Sequence, residues 1–468
     1  MNFQRKLWWA QHRTDVYKYG TILSLVLIVT ISIIYFTYSK FTSTNEATAY
    51  ETTVEPFIKN DYFIASYVDG VWSDTIPGKD DGYVVDKIVC DNGATATWDY
   101  SEWGINIRNA TKKIKCGVYF KKLVKLTEQI TALASTDTTN FASDDPDNNI
   151  RYIGANPNNY VYFNCSDYSN QSDSTCEKWR IIGVFKNMTK EDGSQADLVK
   201  IVRDDRLGNT TLMWDYKKNG VGTSTNDSGS NDWTDSQLMM MLNPTDYLKS
   251  GYTIESGVVK DSNGQAIYQN MGSYYNGTSG CKPARIASGA DFTCTSIDFT
   301  STGLKNDLTR NAIESVVWNL GESSTYNDVT ASMFYSRERG TTVYSGHAST
   351  WTGKIGLMYP SDYGYATSGG TTTNRATCMA TKLFDWSNSG VSDCKNNDYL
   401  YKSDYYQWTL TSDSSKSISV FDVCPRGHVS SNIELNTDAV RPVAFLKSNI
   451  SITSGDGSST GPFQLKLQ

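Results

Sequence analysis

The chain has 468 residues with a net charge of −7, and 39% of its residues are hydrophobic, including 30 Tyr and 12 Trp. So many large apolar groups can build packed cores, which excludes a purely disordered stalk. The first 18 residues carry Arg5, Lys6, Arg13 and Lys18 against Asp15, leaving −10 on the remainder, a balance that argues against nucleic acid as a partner.

In chain order, residues 1–18 form a basic head and residues 19–38, YGTILSLVLIVTISIIYFTY, form a run of 20 residues without charge. Its length matches a helix crossing roughly 30 Å of hydrocarbon. Tyr17, Tyr19, Tyr35 and Tyr38 stand near its ends, with Lys18 and Lys40 at the two water boundaries. The expectation is a single transmembrane helix with the N-terminus in the cytoplasm and everything after it outside; a cleaved signal peptide is the alternative. Residues 39–56 are rich in Thr and Ser and read as a tether. Residues 57–125 hold short β-like runs (DYFIASYV, GYVVDKIVC, ATATWDY, GINIRN, CGVYFKKLV) and predict a small β domain, a spacer stapled by a disulfide. Residues 126–149 read as a linker with a short helix, LTEQITALA.

Residues 150–468 read as one domain. Its strongest strands are KWRIIGVF, ADLVKIVR, WTGKIGLMY, YYQWTLTS and AVRPVAFLK, and helices are predicted over 234–242 and 306–320. The fold class expected is α+β with β dominant. All nine cysteines lie beyond residue 38, and eight fall into close sequential pairs: Cys90 with Cys116, Cys165 with Cys176, Cys281 with Cys294, and Cys378 with Cys394. Those pairings imply an oxidising compartment, although spacing alone does not fix connectivity. Cys424 is left over.

The stretches IRYIGANPNNYVYFNCSDYS, CEKWRIIGVF, DWTDSQLMMMLN, FTSTGLKNDLTRNAIESVVWNLG, ERGTTVYSG, WTGKIGLMYPSDYGYAT, YYQWTLTSDSS and VRPVAFLKSNISITSGDGSS resemble a group of surface proteins of anaerobic Gram-positive bacteria. The segment VDGVWSDTIPGKDDGYVVDKIVCDNGATATWD resembles a small module that often precedes the main one. The main module is similar to the C-type-lectin-like fold of formylglycine-generating enzymes and of the variable proteins of diversity-generating retroelements. That resemblance implies a binding module that, on the membrane-anchored chain expected above, takes an extracellular protein or glycan through the surface 412–437, between the strand around Trp408 and the Arg-Pro strand 440–446. On it Ser419, Phe421, Asp422, Cys424, Arg426, His428, Ser430, Ser431 and Asn432 are expected to face outward, with Val420, Val423 and Val429 inward. In variable proteins such outward positions are diversified.

Catalysis is not expected. Cys424 lacks the second cysteine that formylglycine generation needs, and His428, four residues away, makes only a weak dyad signal without an orienting third group. Asp362 and Asp413 are candidates for a glycosidase's two carboxylates, but S-D-Y-G and D-S-S read better as turns. SGDGSS lacks the spaced ligands of a Ca²⁺ loop, and with few histidines no metal or cofactor is expected. Trp179, Trp214, Trp233, Trp318, Trp351, Trp386 and Trp408 read mostly as core. Two other classes stay open: an envelope glycan hydrolase and a spacer without ligand.

Overall fold

The computed structural model describes residues 13–14, 18–30, 62–79, 81–109, 113–209, 211–215, 229–244, 253–255, 258–260, 266–269, 272–282 and 295–467. The chain divides into two units, Met1–Lys122 and Leu123–Gln468. It is β-rich with few, short helices, which corrects the α+β expectation. The single transmembrane helix is corrected as well. Residues 18–30 are helical, 31–38 lie outside the described residues, and no helix among the described residues is long and apolar enough to cross a membrane. The tether 39–56 also lies outside them.

In the small unit a four-stranded sheet runs in the order Val71–Ser73, Tyr62–Val68, Ile114–Lys122, Tyr83–Cys90. The two middle strands are parallel, with Phe63 beside Lys115 and Ala65 beside Gly117. One face, carrying Ile114, Cys116, Val118 and Phe120, is buried. The hairpin Thr95–Asp99 and Gly104–Arg108 supplies Ile105, Ile107, Trp98 and Trp103 against it. Cys90 and Cys116 are bonded across the sheet, a staple for a core this small.

In the large unit an antiparallel sheet takes the order Ile355–Gly356, Val443–Leu446, Gln195–Arg203, Glu177–Thr189, Ile150–Tyr152, Phe141–Ala142. Its long strands form from β-branched runs such as RIIGV and LVKIV, buried on both faces as such runs require. The thirteen-residue strand Glu177–Thr189 is bulged beside Gly183, where an added Cβ would lie 2.0 Å from the Ile150 carbonyl. Only glycine fits there. The helix Leu126–Ala134 and strand Phe141–Ala142 belong to this unit, and Leu126, Ile130 and Phe141 join its core.

The predicted helix 306–320 is cut short. Asn306 caps Asp307–Ala312 by accepting from the Thr309 amide at 2.9 Å, after which Val316–Asn319 leaves as a strand against Thr350–Gly353. Stiff β-branched Ile313, Val316 and Val317 favour that exchange, and Leu308 is left exposed. The helix expected over 234–242 is split into a 3₁₀ turn Trp233–Asp235 and an α-helix Gln237–Leu242 that Ser236 caps. All seven tryptophans taken mostly as core are buried. Cys165–Cys176 and Cys378–Cys394 are disulfide-bonded, whereas Cys294, the expected partner of Cys281, lies outside the described residues.

Candidate functional site: a clasped hairpin over buried carboxyl groups

The surface singled out by sequence is a three-stranded antiparallel sheet, Gln407–Ser412, Ser419–Val423 and Val429–Ile433, with the last strand at its edge. Residues 424–428, CPRGH, make the turn between the second and third strands. The Cys424 amide donates to the His428 carbonyl at 3.0 Å and the Gly427 amide to the Cys424 carbonyl at 2.8 Å. Gly427 has φ +86°, and a Cβ there would strike the Lys395 side chain, so the turn requires glycine.

Three consecutive carbonyls of this turn are held from below. Tyr401 donates its hydroxyl to the Pro425 carbonyl at 2.6 Å, Lys395 its ammonium to Arg426 at 2.8 Å, and Tyr363 its hydroxyl to Gly427 at 2.8 Å. A backbone segment fixed at three successive acceptors has little freedom left. The Arg426 side chain is exposed at the tip.

Not all of the nine expected outward residues reach solvent. Ser419, Phe421, Asp422, Cys424 and His428 are buried; Ser430, Ser431 and Asn432 are half-buried, and Arg426 is exposed. Outward placement of the first five is therefore corrected. Alternation assumes that one face of the strand meets water, but here both are covered. Phe421 packs on Phe334 and Tyr326 at centroid distances of 5.7 and 6.0 Å, and Asp422 stands opposite Trp408. Val420, Val423 and Val429 are buried.

Cys424 and His428 meet because they close the turn: the sulfur lies 3.1 Å from Nδ1, and the Arg426 amide donates to the sulfur at 3.3 Å. Burial pushes the His428 pKa down, with the charges of Arg426 and Lys395 adding to the effect, so the ring is neutral at pH 7. The neighbour on the ring is Phe384, edge-on at 5.5 Å, and among the described residues no carboxylate is hydrogen-bonded to the imidazole. With Cys424 only 1% exposed, the pair acts as a packed thiol–imidazole contact that lacks the orienting group and opening nucleophilic chemistry needs.

Beneath Ser430 and Asn432 lies a group of acids, Asp422, Asp438 and Glu434, of which sequence reading singled out only Asp422. Ser430 donates to Asp422, and Asn432 donates to Asp438 at 3.3 Å. Burial raises the pKa of both aspartates, and the charge of Asp422 raises that of Asp438 further. Glu434 is buried with neither carboxyl oxygen hydrogen-bonded, and its pKa is pushed up to about 8 by burial, reinforced by the charge of Asp215. Among the described residues no three His, Cys, Asp or Glu side chains are placed to hold a metal ion.

The two carboxylates weighed for glycoside hydrolysis are committed elsewhere. Asp362 is buried between Arg151 (3.0 Å) and Lys200 (2.5 Å) and also accepts the Tyr359 amide, while Asp413 accepts the amide and hydroxyl of Ser415. Lys200 is itself enclosed by the rings of Tyr359, Phe185, Phe445 and Trp318, and burial lowers its pKa to about 8 despite the attraction of Asp362. A lysine at the centre of the apolar run LVKIV was the available signal for such a buried pair. Asp456 of SGDGSS accepts the Ser458 amide in a turn. No family model, curated protein or solved structure matches this chain.

Proposed function

We propose that the chain is a binding protein whose large unit engages an extracellular protein or glycan through the tip and edge of the 419–433 hairpin. The carrying observation is the fixed turn: three successive carbonyls are held by Tyr401, Lys395 and Tyr363 while Arg426 projects into water. Behind it Ser430, Ser431 and Asn432 are half-buried short polar side chains along an edge strand. Rigid backbone bearing exchangeable polar groups suits recognition, because little ordering is required on binding. The resemblance of 412–437 to the diversified surface of variable proteins supports the same reading. Disulfides in both units are the reason to look for the ligand in an oxidising environment.

The test is binding of the full chain to an array of glycans and bacterial surface proteins, beside a variant carrying Arg426→Ala and Ser431→Arg. Both positions lie at the surface of the hairpin, so the fold is expected to survive. A specific signal lost by at least ten-fold in the variant supports the assignment. Equal binding by the two proteins, or none by either, removes function from this hairpin.

A further inference from the structure

The small unit leaves the second face of its sheet uncovered by its hairpin, and that face is built unlike a spacer. By strand register, Phe63, Ala65 and Tyr67 lie beside Lys115, Gly117 and Tyr119, with Trp72 opposite Tyr67. Trp72 makes edge contacts with Tyr67 and Tyr119 at centroid distances of 5.1 and 5.2 Å, and it lies over Gly117, where an added Cβ would come within 2.7 Å of the ring. The indole is thus held against the sheet although it is 51% exposed, and Phe63 is 59% exposed.

Between these two rings is a slot of about 450 Å³. Its floor is Ala65 and Gly117, and its polar lining is Ser73, Asp74 and Lys115. Two small residues side by side on adjacent strands, walled by two large aromatics, leave room for a ring that is apolar on its faces and polar around its rim. A pyranose has that form: C–H groups on its faces, hydroxyls at its equator. Charge narrows the occupant. Lys115 and Asp74 are the charged residues of the lining, and Lys87 and Lys121 fall on the same face by register. Lys87 is parked over the Tyr119 ring at 4.5 Å, and among the described residues neither Lys115 nor Asp74 has an ion-pair partner. A cationic aromatic face can also take single-stranded nucleic acid, but that mode needs a positive groove tracking the backbone, and the lining here offers one lysine and one aspartate.

We propose that this slot is a second binding site, independent of the hairpin, for a polysaccharide whose sugars carry carboxylate groups, with Phe63 and Trp72 gripping the ring and Lys115 meeting the carboxylate.

The experiment titrates polygalacturonate, its methyl ester and an oligothymidylate into the full chain and into Trp72→Ala, Lys115→Gln and Ala65→Leu variants. Binding of polygalacturonate, weakened at least ten-fold by methyl esterification and by each substitution, is the expected result. Because Lys115 is exposed, Lys115→Gln tests the slot without risk to the fold; an unchanged near-ultraviolet circular dichroism spectrum checks the other two. The hairpin variant Arg426→Ala is expected to leave this binding intact, which separates the two sites. Absence of polygalacturonate binding, equal affinity for the ester, indifference to the substitutions, or preference for the oligothymidylate would each overturn the proposal.

Discussion

Glu434 makes the sharpest residue-scale prediction. Its pKa stands at about 8 in the folded chain against an ordinary value of 4.5, so below pH 4.5 both states are protonated and the group is neutral toward folding. As the pH rises toward 8, the unfolded chain releases the proton while the folded chain keeps it, and stability is lost across that window. Glu434→Gln cannot ionise. Its melting temperature should match the parent at pH 4 and exceed it at pH 8.5, by a free energy on the order of 2 kcal/mol after screening is discounted. Equal pH dependence in the two proteins would show that Glu434 ionises freely. Its low legibility in sequence is physical: nothing in NIELNTDAV separates a solvated acid from one buried under an edge strand. Lys200 was legible in principle, since a cation inside LVKIV must find a buried partner, yet the sequence does not say that the partner is Asp362 or that Arg151 shares it.

Among the elements, those with local causes were read well. LTEQITALA forms the helix Leu126–Ala134, and the runs around Trp179, Val199 and Trp408 form strands. Elements decided by distant partners were not. Residues 316–319 keep helical spacing in sequence but pair with Thr350–Gly353, and the bulge at Gly183 exists because Ile150 approaches from another strand. The strand Ser419–Val423 was misread for the same reason: its second face is covered by residues remote in sequence, including Phe334 and Tyr326. Close cysteine pairs are local and were readable. Cys378–Cys394 joins the helix Arg375–Ala380 to Asp393–Asn396, the helix that carries Lys395. Replacing both cysteines by alanine should destabilise the large unit by about 3 kcal/mol, measured by denaturant titration. A change below about 1 kcal/mol would mean that side-chain packing alone holds these helices.

At the scale of the whole molecule, the two units differ greatly in the core each can build. The small one has a cluster of Ala94, Ile114 and Cys116, whereas one continuous core runs through the large one. They should therefore unfold as separate events in calorimetry, the small unit first. Replacing Cys90 and Cys116 by alanine should lower only that first transition. A single transition moved as one by the same replacement would indicate energetic coupling between the units. The turn 424–428 carries a consequence in time rather than in energy. If this hairpin binds as proposed, the loop, its carbonyls already held by Tyr401, Lys395 and Tyr363, would reach an encounter already ordered, and association would have no slow folding step to wait for. Variants that differ only in the side chains at 426 and 430–432 would then meet their ligands at similar speeds and part from them at different ones, and their selectivity would be written in residence times.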